Sequence, residues 1–510
     1  AQGGRILRFV IGGYEWTVRR ALRHPWLALA CVALVVTGGI LLYDRLETDF
    51  LPKLEEGAFV LDYYSRPGTS LSETDRMLRH VEKILMDTPE VESFSRRTGA
   101  RLALAIAEPN TGDFLVKLRP QRNRSTEEVI NELREKIQQA EPALHTEFPV
   151  VLSDLIGDLT WSPKPCEIKI FSNDTAVLKK RATEIAETIG KMPGVVDVEP
   201  GLVVAGPSMK FAVRFDAAAR VGLTPTDIGN TLQTSLLGQT SSYLLQGDRT
   251  IGIRVLSAGE ANERELRIRE TPIRSPSGTV VTLNDVAEVQ YQPGILEMQR
   301  EDLRQLVAVS ARFSGMDMGT GIRQIRAQLA KTLPPWASVG LEFGGLYQQQ
   351  QQSFKNLTFV LLMAIVLVFA VLLMEFRSVS QPWAIVLGAV LALFGVVVAL
   401  ASTGTSLNIV SFLGAIIGVG IVAKNGILML DFVEHLQARG YNVFESLVQS
   451  GRRRLRPVLM TSLATFIGLL PLAYGVGAGA DMLRPLAIAI IGALFVSLLL
   501  SLIVTPVCYY

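Results

Sequence analysis

The residue with the clearest chemical potential is Lys424. It lies in Gly418-Val419-Gly420-Ile421-Val422-Ala423-Lys424-Asn425-Gly426-Ile427-Leu428-Met429-Leu430, inside a long apolar stretch. A charge at the centre of a membrane span costs at least ~2.5–3.5 kcal/mol on insertion scales. The plainer reading is a lysine that snorkels to the membrane edge. Six uncharged residues separate it from Asp431, so that reach exceeds one helical turn. A desolvated lysine beside a carboxylate can change protonation state, as a proton carrier must. An ion-coupling role is therefore expected, with protons as the coupling ion and no other cofactor. Arg454 belongs to the cluster Arg452, Arg453, Arg454 and Arg456 just before Pro457, and Thr461 follows one to two turns later. Their plainer readings are a positive-inside signal and ordinary helix packing.

Other reactive groups are sparse. Asp154 and Asp158 stand at i and i+4, and two carboxylates with no histidine nearby make a thin zinc site. The plainer reading is a solvated turn. The four histidines (His24, His80, His145, His435) are scattered, and Cys31 and Cys508 lie in apolar runs, which excludes a disulfide framework. No hydrolase triad, phosphate-binding loop or ATPase motif is present, so the expectation is a transporter and not an enzyme. A net charge of +2 offers no case for nucleic-acid binding.

The elements that must position these groups divide between membrane and water. The 510 residues are 49% hydrophobic and 19% charged, with mean hydropathy +0.31; a soluble domain carries about a quarter charged residues. The uncharged runs predict six spans near 26–43, 357–374, 382–401, 409–430, 457–475 and 486–508. Arg5, Arg8, Arg19, Arg20 and Arg23 precede the first span, and Arg439 and the 452–456 cluster precede the fifth. The positive-inside rule puts both segments in the cytoplasm and 44–356 outside. Within 44–356 a pattern of strand, helix, proline, strand recurs four times. Its strands are expected at 59–64, 91–94, 114–118, 144–148, 167–171, 195–198, 306–313 and 339–343. Paired units of this kind build split βαβ sandwiches. The fold class is therefore a membrane α-helical bundle of six helices plus α+β subdomains of ferredoxin-like split βαβ type. An extra module at 210–290 interrupts the second sandwich. The expected organisation is a basic lead-in at 1–25, a span at 26–43 and a first subdomain at 44–155. The second subdomain covers 156–209 with 291–345, and a five-helix bundle fills 346–510.

These features resemble one family. The resemblance rests on Ala423-Lys424-Asn425-Gly426-Ile427-Leu428, on Arg454-Leu455-Arg456-Pro457-Val458-Leu459-Met460-Thr461-Ser462-Leu463, on Gly477-Ala478-Gly479-Ala480 and on Leu51-Pro52-Lys53-Leu54-Glu55-Glu56-Gly57. The chain is similar to the C-terminal half of an inner-membrane permease of the resistance–nodulation–division (RND) superfamily. The resemblance implies a bacterial inner-membrane pump with its large domain in the periplasm, exchanging protons for exported toxic small molecules. It implies an N-terminal half that supplies paired aspartates to Lys424, with Arg454 and Thr461 in support. It also implies a homotrimer, a periplasmic adaptor and an outer-membrane channel met by the 210–290 module.

The resemblance divides over cargo. The Lys424 segment is similar to drug exporters. Segments 51–57, 67–71 and 484–487 are similar to heavy-metal pumps. Drug pumps line the porter cleft with phenylalanines, and the matching stretch here offers Phe94 and Phe114 together with Arg96, Arg97 and Arg101. Copper and silver pumps use a methionine triad, and no methionine stands near Leu155. Asp154 and Asp158 fall where the resemblance places a divalent-cation acid. Drug-like organic compounds are slightly favoured, with divalent heavy-metal cations as the alternative. A protein-translocation accessory is the reading from another class.

Overall fold

A computed structural model describes residues 5–510 apart from 53, 100–107, 153, 156–163, 203–205, 257–263, 293–296, 333–339 and 478. The chain separates into two compact units, residues 203–297 with 66–70 forming the smaller.

The larger unit opens with α1 (Arg5–Arg23) and α2 (Pro25–Tyr43). Pro25 at the start of α2 suits the first helical position, where its missing N–H costs nothing. A first sandwich follows, made of β1 (Ala58–Tyr64), α3 (Leu71–Met86), β2 (Val91–Thr98), β3 (Thr111–Leu118), α4 (Thr126–Ala140) and β4 (His145–Glu147). Its antiparallel strands lie in the order β2-β3-β1-β4, the order of a split βαβ unit. Strand alternation sends Phe59, Leu61 and Tyr63 to the helix-covered face. On α3, Met77, Leu78, Val81 and Leu85 recur at helical spacing and meet them. The Ser125 hydroxyl and the Glu128 carboxylate cap α4 reciprocally.

The second sandwich starts with β5 (Cys166–Phe171), α5 (Thr175–Gly190) and β6 (Val195–Glu199). The smaller unit is then built from β7 (Ser208–Val213), α6 (Phe215–Arg220), α7 (Pro225–Leu232), β8 (Gln239–Gln246), β9 (Arg249–Val255), α8 (Arg264–Arg269), β10 (Pro272–Arg274), β11 (Val280–Thr282), α9 (Leu283–Val286) and β12 (Ala287–Gln292). It has its own core around Ile228, Leu232, Ile273, Leu283 and Val286. The chain returns to the second sandwich with β13 (Gln299–Glu301), β14 (Arg304–Phe313), α10 (Met318–Thr332) and β15 (Gly340–Gly344). There β14 pairs β5 and β6, and β5 also pairs β15, which repeats the first sandwich's order.

Five helices complete the chain: α11 (Leu346–Phe376), α12 (Ser380–Thr403), α13 (Ile409–Gln437), α14 (Val443–Ala473) and α15 (Ala480–Tyr509). Among the described residues, five helices are long and apolar enough to cross a membrane, and α1 with α2 would make a sixth as one bent pair. Small residues bring the bundle's backbones together. A Cβ placed on Gly395 of α12 would lie 2.3 Å from the Gly492 carbonyl oxygen of α15. On α13, Gly414 and Gly418 press against Ala489 and Ala493 of α15 at 2.8 Å by the same measure. That contact fixes the rotation of α13 and so decides where Lys424 points.

Candidate functional site

Within the bundle, the glycine face of α13 is buried and the opposite face is open. Leu413, Ile417, Gly420 and Lys424 are all exposed, and their spacing draws one stripe along the helix. Among the described residues Lys424 makes no ion pair or hydrogen bond. Arg454 on α14 pairs instead with Asp431 at 3.8 Å, and its guanidinium sits 5.0 Å from the Phe432 ring centre. Thr461 is exposed, and its hydroxyl donates to the Val458 carbonyl at 3.1 Å. The helices α13 and α14 run antiparallel, and the Ser450 hydroxyl ties them by donating to the Met429 carbonyl at 2.7 Å. Lys424 and Thr461 each stand seven residues from the Asp431–Arg454 pair, in the same direction along the bundle. Both are therefore about 10 Å deeper than that pair and level with one another. Asp431 is the residue that sequence reasoning treated only as the edge of a span.

In the first sandwich the structure separates the expected cleft residues. Phe114 is fully buried between Tyr63 and Phe94, at ring-centre distances of 5.7 and 6.0 Å, so it packs the core and lines no cleft. Phe94 is partly buried against the same core. Arg96 lies on the helix-covered side and pairs with Asp75 at 2.6 Å and Glu82 at 3.4 Å. Arg97 is on the sheet face away from the helices and pairs with the buried Asp113 at 2.7 Å. The Asp154 amide donates to the Val150 carbonyl at 2.9 Å, and Arg101 and Asp158 lie outside the described residues. Just before Asp154, the Leu152 amide donates to the Glu56 carboxylate at 3.1 Å. Burial pushes the Glu56 carboxyl above its usual range even so.

The face away from the helices carries a pattern that only register reveals. Arg97 on β2 stands opposite Asp113 on β3, Asp113 opposite Asp62 on β1, and Asp62 opposite Glu147 on β4. Residues directly opposite share a face with Cβ atoms about 4.5–5.5 Å apart, and like charges so placed destabilise a sheet. Arg97 answers Asp113, and Lys164 and Arg312 answer Glu147, which offsets the repulsion within the row. Among the described residues no three ligating side chains converge as a closed metal site. The alternation in 59–64 was the available signal for Asp62; nothing local pointed to the row. A cavity of about 400 Å³ opens between the two sandwiches, with Phe50, Ile130, Phe148, Met316 and Met318 in its walls. Arg134 of α4 crosses to Asp197 of β6 at 2.9 Å there.

Comparison with known proteins decides the family. A family model described as the AcrB/AcrD/AcrF family matches residues 1–510. The chain belongs to this family. It is 29% identical over 522 residues to the cobalt-zinc-cadmium resistance protein CzcA of Cupriavidus metallidurans, covering 99% of this chain and 49% of that protein. It is 27% identical to the nickel and cobalt resistance protein CnrA of the same organism, over 98% of this chain and 48% of CnrA. A solved heavy metal efflux pump superposes with a TM-score of 0.87 at 26% identity, covering 99% of this chain and 52% of that one. The chain thus spans about half the length of the relatives it matches.

Proposed function

We propose that the chain is the C-terminal half of a proton-driven permease that exports divalent heavy-metal cations. What carries this reading is the match over nearly the whole chain to proteins named for cobalt, zinc, cadmium and nickel resistance. It moves the balance away from the organic cargo that the Lys424 segment had favoured. Asp62 and Glu147, opposite one another in register, add carboxylate oxygens of the kind that suit hard and borderline divalent cations. The largely apolar cavity between the sandwiches is the feature that favours organic cargo as a second reading.

In this reading the bundle lies in a bacterial inner membrane and both sandwiches in the periplasm. Lys424 faces out of its own half because its acidic partners come from the N-terminal half. Asp431 and Arg454 form the cytoplasmic end of the same polar path, and Thr461 stands level with Lys424. Protonation of the partner acids releases Lys424, and each charge that crosses contributes ~2.3 kcal/mol per 100 mV. A homotrimer, a periplasmic adaptor and an outer-membrane channel complete the assembly.

The test is resistance conferred by the complete pump in a pump-deleted host, with Lys424→Ala and Asp62→Asn alongside. Plates carry zinc, cobalt, nickel and cadmium salts, and in parallel dyes, antibiotics and detergents. Cation resistance that Lys424→Ala abolishes and Asp62→Asn weakens is the expected outcome. Lys424-dependent resistance to organic compounds alone would overturn the cargo.

A further inference from the structure

A polar cavity lies at the sandwich end of the bundle. Its volume is about 190 Å³, and its walls include Glu47, Thr405, Ser406, Asn408, Asp481 and Arg484. Glu47 follows α2, Thr405 to Asn408 link α12 to α13, and Asp481 and Arg484 stand at the start of α15. Backbone and side-chain hydrogen bonds fix these walls. The Leu407 amide donates to the Glu47 carbonyl at 2.8 Å, and the Asp49 amide donates to the Leu407 carbonyl at 3.1 Å. Asn408 is fully buried. Its side-chain amide donates to the Ser406 carbonyl at 3.1 Å, and its side-chain oxygen accepts from the Ser411 amide at 2.9 Å. The chain just after Glu47 also grips the second sandwich. The Thr48 amide donates to the Asp317 carboxylate at 3.0 Å, and the Gly319 amide donates to the Thr48 carbonyl at 3.0 Å. One wall of the cavity therefore belongs to a splice between the bundle and the second sandwich.

The lining carries both signs of charge. Among the described residues Asp481 and Arg484 form no ion pair, although they stand three residues apart on one helix. A lone anion is repelled by Asp481 and Glu47, and a lone cation is repelled by Arg484. No three ligating side chains converge there as a metal site among the described residues. A ligand bearing both charges satisfies the set, through charge-assisted contacts at each end. At about 30 Å³ for each water, the cavity holds the volume of about six waters, which suits a small headgroup and leaves its chains outside. Apolar surface for those chains adjoins it. Met482 and Leu483 are exposed between Asp481 and Arg484, and Tyr43 at the end of α2 and Tyr474 just past α14 are exposed as well. Tyrosines at the ends of membrane-spanning helices sit at headgroup level. We infer that this cavity binds the zwitterionic phosphoethanolamine headgroup of a membrane phospholipid, with Arg484 on the phosphate and Asp481 and Glu47 on the ammonium.

The chemistry selects one headgroup among its relatives. An ethanolamine ammonium offers three N–H donors, as a lysine does, whereas a choline offers none. Carboxylate acceptors therefore favour ethanolamine over choline, and the same carboxylates disfavour a purely anionic headgroup. An occupied cavity ties α15 to the chain around Glu47 and so holds the bundle to the second sandwich. A ligand stabilises the state that binds it, so occupancy slows opening of the splice. The inference rests on the bundle's place in a membrane and is independent of the cargo and of Lys424.

The test is native mass spectrometry of the complete pump with phosphatidylethanolamine, phosphatidylcholine and phosphatidylglycerol of identical chains, and with free phosphoethanolamine in parallel. Wild type should hold phosphatidylethanolamine about tenfold or more tightly than either other lipid, the worth of one charge-assisted hydrogen bond. Arg484→Gln should lose one tightly held phosphatidylethanolamine per chain. Asp481→Asn with Glu47→Gln should erase the preference over phosphatidylcholine and leave phosphatidylcholine binding unchanged. Equal retention of the two zwitterionic lipids by wild type would overturn the site, as would tighter retention of phosphatidylglycerol or an unaltered Arg484→Gln. Free phosphoethanolamine binding as tightly as the lipid would overturn the membrane source. A second measurement needs no variant: amide exchange at 47–50 and 405–409 of wild type should be slower in phosphatidylethanolamine nanodiscs than in phosphatidylcholine ones. Equal exchange in the two lipids would overturn the tie between bundle and sandwich.

Discussion

Arg134 offers the most direct test of how the two sandwiches hold together. Its guanidinium grips Asp197 through two hydrogen bonds of 2.9 and 3.1 Å and lies 5.0 Å over the Phe148 ring. The Asp197 side chain is 2% exposed, while that of Arg134 is 20% exposed. Arg134→Met therefore leaves a carboxylate buried beside one remaining donor, the Phe148 amide at 3.4 Å. Breaking a buried pair from one side costs about 3–5 kcal/mol. The surviving amide places this case near the lower end, about 3 kcal/mol. At 1.4 kcal/mol per tenfold, the local opening constant should rise about 150-fold. Asp197 has φ +50°, a conformation asparagine tolerates. Arg134→Met with Asp197→Asn should accordingly recover most of the loss, because no charge is then stranded. The assay is amide hydrogen exchange in α4 and β6 of the full pump, which reports local opening. Protection in Arg134→Met within tenfold of wild type would refute the reasoning, as would a double variant no better protected than the single one.

Two further perturbations test other levels of the fold. Gly492→Val puts a side chain where a Cβ already lies 2.4 Å from the Gly395 carbonyl oxygen and 2.5 Å from Ala399 Cβ. Overpacking of about 1–3 kcal/mol should lower the thermal midpoint in detergent, and Gly468→Ala, with nothing within 4 Å, should leave it unmoved; equal midpoints would show that α12 and α15 do not meet at these glycines. In the smaller unit, hydrogen bonds from the Thr224 hydroxyl and amide hold the Asp227 carboxyl below its usual range. The α7 cap is then fully effective above the ordinary aspartate pKa and fades as pH falls through the lowered value. Exchange of the α7 amides should rise there, and Asp227→Asn should remove that pH dependence.

Much of the architecture was legible in local pattern. The strand expected at 59–64 forms at Ala58–Tyr64, and the helix expected from Ser125 starts at Thr126 with Ser125 as its cap. The polar break near 402–408 does separate two long helices, α12 and α13. Alternation, capping residues and charge-free length are short-range signals, so one chain read alone carries them. The smaller unit was read less fully. Its exposed β8–β9 hairpin carries polar and apolar residues on both faces and leaves β8 without a period-two signature.

What the amino-acid sequence determined by itself was the list of elements and the presence of one lysine too deep in an apolar run to be ordinary. The tertiary structure decided which groups meet. Phe114 and Arg97 come from adjoining strands that both looked suited to a cleft, yet one is in the helix-covered core and the other is on the opposite face, paired with Asp113. Period two says which residues share a face, but helix packing chooses the face that is covered. The row from Asp113 through Asp62 to Glu147 and the Asp431–Arg454 pair both depend on register between distant segments. Register is set by the summed burial of whole strands and helices, so no local stretch of sequence contains it.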